Sequence, residues 1–399
     1  MSPAGPTEPL TVVLLTTDNR WVHRDYLNPV PHFGPAPAAL IEGFTNLPGI
    51  RVHIVSSTKR LMTSPEKLAD NIWFHSQYVS RMGWMRTGFM GCIRATRKTL
   101  RRIHPDIVHG QGTESDCAMS AVFSHFPNLL TVHGNMRRIA KVESHPYNWL
   151  AGRLERFVLP RSLGVVCLTT HTERQVGTLA KRTWIVPNAV DPSFFEIDSQ
   201  PDPGIQLILC VATISALKNQ IGLIRSLDGL GDKRKLEIIF LGGGEPSSPY
   251  CLEFRRMVES RPWCRYEGYA DREQLKRYLR TATLFVLPSL EENCPMVILE
   301  AMAAGVPVLA ARVGGVPDLF EEGKTGFFCD PLQENSMRAA VQTALSDSAV
   351  LRQIATRAKQ EARERFHPKV IARKHLHIYR QVLERLEKDC SEQRGFVKQ

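Results

Sequence analysis

Short apolar runs rich in β-branched residues recur along this chain, separated by longer stretches with helical spacing. Residues 10–17 (LTVVLLTT), 51–55, 106–109, 129–134, 165–168 and 184–186 read as buried strands. Residues 36–47 carry helical spacing between the first two, and a strand–helix–strand opening predicts a parallel sheet with right-handed crossovers. A polar segment, 199–204 (SQPDPG), reads as a linker, being rich in proline and glycine. The pattern then restarts, with strands at 205–212, 236–241, 264–267, 284–287, 306–310 and 326–329 and helices at 220–227, 251–259 and 272–278. Residues 334–387 are nearly all helix, broken near Phe366-His367-Pro368. Two similar α/β halves facing each other make the economical architecture.

One stretch organises the second half. The apolar run 284–287 is followed by a polar loop, 289–295, and then by a strongly helix-forming segment, 296–304. Pro295 suits a helix start and Gly305 a helix stop. The result is strand, loop and helix, with Glu292 in the loop and Glu300 on the helix. An open α/β sheet binds its ligand at this place, beyond the carboxyl ends of the strands.

Composition narrows the class without choosing a function. A chain of 399 residues exceeds what one core usually supports, so two domains are expected. No apolar run is long enough to cross a bilayer, and the first residues, MSPAGP, lack the basic and apolar regions of a signal peptide. Nine scattered cysteines without a Cys-x-x-Cys pair or a His/Cys cluster predict reduced thiols in a cytoplasmic protein and no metal. The formal net charge of +11 points to an anionic partner, whether nucleotide, phospholipid surface or nucleic acid. Nucleic acid is disfavoured, because no stacking pattern of aromatic and basic residues and no recognisable module is present.

Several blocks taken together carry a resemblance. Glu292 and Glu300 have an E-x7-E spacing inside PSLEENCPMVILEAMAAGVPVLA, followed by VGGVPDLFEEGKTGFF at 313–328. IVPNAVDPSFF (185–195), HPDIVHGQG (104–112) and TVHG (131–134) extend it over essentially the whole chain. The chain resembles the retaining family 4 glycosyltransferases. The resemblance implies a GT-B fold of two facing Rossmann-like domains with a central cleft. The N-terminal domain, 1–198, would bind the acceptor and the C-terminal domain, 205–371, the nucleotide sugar. A C-terminal helix, about 372–399, would cross back to the first domain.

The site residues follow from chemistry and resemblance together. Eight positions across a helix start set the two carboxylates roughly 9–12 Å apart if mostly helical, too wide for the acid pair of a retaining glycosidase. By resemblance Glu292 holds donor-sugar hydroxyls and Glu300 the nucleoside ribose, the alternative being a loop charge and a solvated helix residue. The diphosphate would lie at the helix start, near Asn293, Cys294, Met296 and Val297, where free N–H groups and the helix dipole favour an anion. Lys218 matches the family's diphosphate lysine and would stabilise the leaving group; a surface lysine is the alternative. Thr213 stands about where the family has an arginine, so one cation of a pair is missing or comes from elsewhere. His133 matches the family histidine near the donor sugar, against a structural role; for His109 the structural role is preferred. Gly34 replaces a Gly-Gly loop that approaches the diphosphate. Gly314 and Gly315 read as turn glycines, and Gly243, within Gly242–Gly244, lines the nucleotide pocket or makes a plain turn. The family generally works without a metal, so no cofactor is expected.

The function so read is retaining transfer of a hexose from a nucleoside-diphosphate sugar. The acceptor stays open among lipid-linked, polysaccharide and small-molecule classes. A non-catalytic GT-B subunit that binds a nucleotide sugar or scaffolds a partner is the alternative, kept by Thr213 and the thin Gly34 loop. Trp84, Met85, Phe89, Met90 and Ile93 share a helical face, with Arg94, Arg97, Lys98, Arg101 and Arg102 following. The segment 84–102 is therefore either an interfacial helix for an anionic membrane, which would make the protein peripheral, or an ordinary helix with its apolar face in the core.

Overall fold

A computed structural model describes residues 8–137, 146–230 and 236–396. They form an α/β protein of two compact units, Met1–Ala189 with Pro368–Gln399, and Val190–His367. The segment 199–204 lies inside the second unit, and the C-terminal helix belongs to the first.

In the first unit the strands are β1 (Leu10–Leu15), β2 (Ile50–Thr58), β3 (Lys67–Ala69), β4 (Ile72–Tyr78), β5 (Ile107–Gln111), β6 (Asn128–Val132), β7 (Gly164–Cys167) and β8 (Thr183–Ile185). They lie in the order β3-β4-β2-β1-β5-β6-β7-β8, and all pairs are parallel except β3 with β4. Alternating side chains supply a core on each face of this sheet. On one face Val12, Ile54 and Leu129 pack with Phe44 and with Ile371, Ala372 and Tyr379 of the C-terminal helix Pro368–Phe396. On the other, Val13, Val108 and Leu130 pack with Cys92, Ile93 and Leu100.

That second packing corrects the interfacial helix. The segment 84–102 is not one helix: Met85–Thr87 is a 3-10 turn, and the helix proper is Met90–Ile103. Phe89 takes a left-handed φ of 64° at the junction, and Gly83 packs so closely on Gly91 that a Cβ would meet its Cα at 2.8 Å. The chain folds back there, and Phe89, Ile93 and Leu100 go into the core.

The second unit has β9 (Gln206–Val211), β10 (Leu236–Leu241), β11 (Cys264–Tyr266), β12 (Leu284–Leu287), β13 (Val308–Ala311) and β14 (Phe327–Cys329), in the order β11-β10-β9-β12-β13-β14, all parallel. The order reverses between β9 and β12, so the loops after these two strands flank a topological switch point. One core here is built from Ile208, Ile238, Phe240, Phe254, Leu284, Val286 and Leu309. Cys92, Cys117, Cys167, Cys210, Cys251, Cys264, Cys294 and Cys329 are free and buried. Among those residues no helix is long and apolar enough to cross a membrane.

Candidate active site

The second unit assembles its polar centre at that switch point. After β12 the chain turns through a loop whose Leu290 amide donates to the Leu217 carbonyl at 2.8 Å, tying it to the loop after β9. Glu292 is thereby set against Lys218, whose Nζ lies 2.5 Å from its Oε1. Buried Ser289 donates its hydroxyl to the same oxygen at 2.7 Å. From behind, the Gly315 amide donates to the Glu292 carbonyl at 3.0 Å. Gly314 has a φ of 52°, and a Cβ there would fall 1.9 Å from that carbonyl oxygen, so only glycine fits. Lys218 ends a 3-10 turn, Ala216–Lys218, and left-handed Asn219 follows, anchored by its Nδ2 on the Pro331 carbonyl at 2.9 Å.

The helix Met296–Ala304 begins at this carboxylate. Pro295 is its N-cap and supplies no side-chain cap, and a helix start of this kind favours an anion. Gly305 closes the helix with a φ of 76°. Asn293, Met296 and Val297 are half-buried along this approach, and Cys294 is buried. Glu300 is 6% exposed, and burial raises its carboxyl to about 7, opposed by the Arg272 guanidinium and reinforced by Asp191. Arg272 is itself bonded to Asp191. The loop before the helix therefore carries one carboxylate paired with a cation, and the helix carries one largely desolvated carboxyl about a turn beyond its start.

Gly242–Gly244 makes a close-packed turn after β10. A Cβ on Gly242 would lie 2.0 Å from the Ala212 carbonyl oxygen, and one on Gly244 would press on Ile214 and Cys251, whereas Gly243 faces open space. Thr213 is exposed, and its carbonyl accepts from the Gln220 amide at 3.0 Å.

Gly34 and His133 belong to the first unit. Gly34 caps the helix Pro35–Phe44 with an ordinary φ of −59°, and a Cβ there would find only normal contacts with Pro37 and Asn19. His133 follows β6, and its Nε2 lies 3.1 Å from Gln111 Oε1. Burial lowers its imidazole to about 4, so it is neutral near pH 7. His109 is fully buried, with Nδ1 on the Tyr379 hydroxyl at 2.8 Å and Nε2 on Thr131 at 2.7 Å, a structural arrangement.

Ser289, Gln111 and Arg272 were not singled out by the sequence. For Gln111 the signal was present: it stands two residues beyond His109 on the same face of a strand. Among the described residues no group of three or more His, Cys, Asp or Glu is placed to hold a metal ion.

Comparison with known proteins assigns this architecture. The model for glycosyl transferases group 1 matches residues 195–365, and that for Glycosyltransferase Family 4 matches 38–194. Sulfoquinovosyl transferase SQD2 of Arabidopsis thaliana is 32% identical over 171 residues, which are 42% of this chain and 32% of that one. The chain spans 32% and 54% of the lengths of the first two curated relatives it matches. Among solved structures, sucrose-phosphate synthase from Thermosynechococcus elongatus superimposes with a TM-score of 0.74 at 19% identity, covering 94% of this chain and 99% of that one. Anabaena Alr3699/HepE, in complex with UDP and glucose, does so with a TM-score of 0.67 at 17% identity, covering 92% and 99%. These likenesses establish the GT-B fold.

Proposed function

Since the chain belongs to the group 1 and family 4 glycosyltransferases, enzymes that transfer sugars, we propose that it moves a hexose from a nucleoside-diphosphate sugar with retention of anomeric configuration. The observation that carries this reading is the Lys218–Glu292 pair in the loops that lead to the Met296 helix, with Glu300 desolvated on that helix. Glu292 would accept hydrogen bonds from donor-sugar hydroxyls, and Glu300 from the ribose. The diphosphate would take Lys218 as its cation and the amides of Met296 and Val297 as donors, with Asn293, Cys294 and Gly243 lining its approach. The fold neighbour in complex with UDP and glucose supports a donor of this class.

Chemically, the acceptor oxygen bonds to the anomeric carbon on the face from which the diphosphate leaves. The bond from that carbon to the phosphate oxygen breaks, and the acceptor's proton passes to the departing phosphate. Lys218 and the helix start stabilise the charge that develops on that phosphate, so the reading requires no metal. His133 would supply a neutral imidazole toward the sugar, with the Gly34 loop near the diphosphate. Buried, free cysteines fit a cytoplasmic location.

The test is nucleotide release from a panel of nucleotide sugars, with NMR assignment of the product anomer. Removing the charge in Lys218→Met or Glu292→Gln should lower turnover by about 10²–10³ with the melting temperature preserved. A chain that neither shifts its melting temperature with any nucleotide sugar nor releases nucleotide from one would sink the proposal.

A further inference from the structure

Three of the largest apolar exposures in the first unit gather at one end of its sheet. Strands β4, β2 and β1 are parallel neighbours, so the loops leaving their C-terminal ends, 79–89, 59–66 and 16–34, emerge side by side. Side chains tie these loops together. Buried Arg20 donates from Nη1 to the carbonyls of Asn28 at 2.6 Å and Thr63 at 3.0 Å. The Lys59 ammonium lies 4.6 Å from the Trp21 ring and 4.9 Å from the Trp84 ring, joining all three.

From this base Leu27, Leu61 and Met82 project into solvent, 97, 84 and 71% exposed. Each stands on a different one of these three loops. The exposed cations Arg24, Lys59, Arg60, Arg81 and Arg86 surround them, against the exposed acids Asp25 and Glu66 alone in the same loops. Trp21, Tyr26 and Trp84 lie half-buried beneath, with the Arg60 guanidinium 4.4 Å from the Tyr26 ring. Aliphatic tips, a collar of arginines and an aromatic layer follow the polarity gradient of a bilayer interface from acyl chain to headgroup.

We propose that this end of the first unit docks on an anionic phospholipid surface, with Leu27, Leu61 and Met82 entering the interface and the surrounding arginines pairing with headgroup phosphates. The loops thus take the place of the helix at 90–103, whose apolar side chains are used by the core. The inference stands independently of the donor site.

Co-sedimentation of the full chain with phosphatidylcholine vesicles, with and without phosphatidylglycerol, tests it. Binding is expected on the anionic vesicles, weakening as salt rises, and not on the neutral ones. The combined variant L27S/L61S/M82S should lose about tenfold in affinity or more. R60Q/R81Q/R86Q should lose roughly a hundredfold, at about a factor of five per arginine. Unchanged melting temperatures confirm that both variants fold, since the substituted side chains are exposed. No binding to anionic vesicles near physiological salt, or binding that survives L27S/L61S/M82S, overturns the proposal. So does a concentration-dependent dimer that this variant dissociates while no vesicles are bound, which would assign the surface to a second copy of the chain.

Discussion

Two residues of the second unit carry consequences that are measurable without knowing the acceptor. Glu300 is the first. Its folded-state carboxyl stands at about 7 against an ordinary 4.5, so the folded chain binds this proton more tightly than the unfolded one. Stability from this group is complete below pH 4.5 and is lost as pH rises through 7, by roughly 3 kcal/mol. Replacing Glu300 with Gln should therefore raise the melting temperature of the ligand-free protein at pH 8 and leave it unchanged near pH 4. Donor affinity should move oppositely, rising between pH 6 and 8 in the native chain as the carboxylate forms, and staying weak and flat in Glu300→Gln. Calorimetry at three pH values would expose an error in either direction. Gly314 is the second. An alanine there must adopt a left-handed φ and push a methyl into the Glu292 carbonyl; the expected result is a stability loss of about 1–3 kcal/mol, with turnover falling further than stability because the displaced carbonyl belongs to Glu292.

At the scale of elements, the ends of β5 and β6 connect His133 to the C-terminal helix. Gln111 Nε2 lies 3.4 Å from both ring nitrogens of His109, which are already bonded to Tyr379 and Thr131. The amide oxygen therefore points at His133, and His133 must donate from Nε2. In histidine-labelled protein the nitrogen shifts of His133 should report the Nε2–H tautomer at pH 7. Gln111→Glu should raise the imidazole from about 4; an unaltered titration in that variant would show that residue 111 does not face the ring. Legibility of these elements in the sequence followed the strength of local signals. The helices Gln220–Leu227 and Met296–Ala304 were readable residue for residue because apolar periodicity and, for the second, a flanking Pro and Gly agree. The hairpin of β3 and β4 was missed: β3 has three residues, and the alternation in Ile72–Tyr78 is blurred by polar side chains. The stretch from Trp84 was left between an interfacial and a core helix, and its break before Met90 was missed, because apolar spacing cannot register the Gly83–Gly91 contact or the backbone of Phe89. At the candidate site, Glu292, Glu300 and Lys218 were visible as a motif, whereas the Ser289 hydroxyl bond and the Gly314 contact are products of packing.

For the whole molecule, the decisive feature is that the chain leaves the first unit at Ala189 and returns to it at Pro368. The returning helix is part of the first unit's core rather than an ornament on it. A Cβ on Gly43 would meet the Pro368 carbonyl oxygen at 2.2 Å, and Ile371, Leu376, Tyr379 and Val382 are all buried against the helix and strands beneath. At about 2–5 kcal/mol for each large buried side chain removed, losing these four costs about as much as the ~5–15 kcal/mol that holds a typical domain together. A chain ending at His367 should therefore contain an unfolded first unit. The same cut leaves the second unit's own parts in place: its sheet, the Lys218–Glu292 pair, Glu300 and the helix start all lie within 190–367. Expressed alone, residues 190–367 should unfold cooperatively and bind the nucleotide part of the donor within about tenfold of the full chain, whereas residues 1–189 without the returning helix should show no cooperative transition. Adding a synthetic 368–396 peptide to 1–189 should restore one. Cooperative unfolding of 1–189 by itself, or its absence in 190–367, would show that the core has been divided in the wrong place.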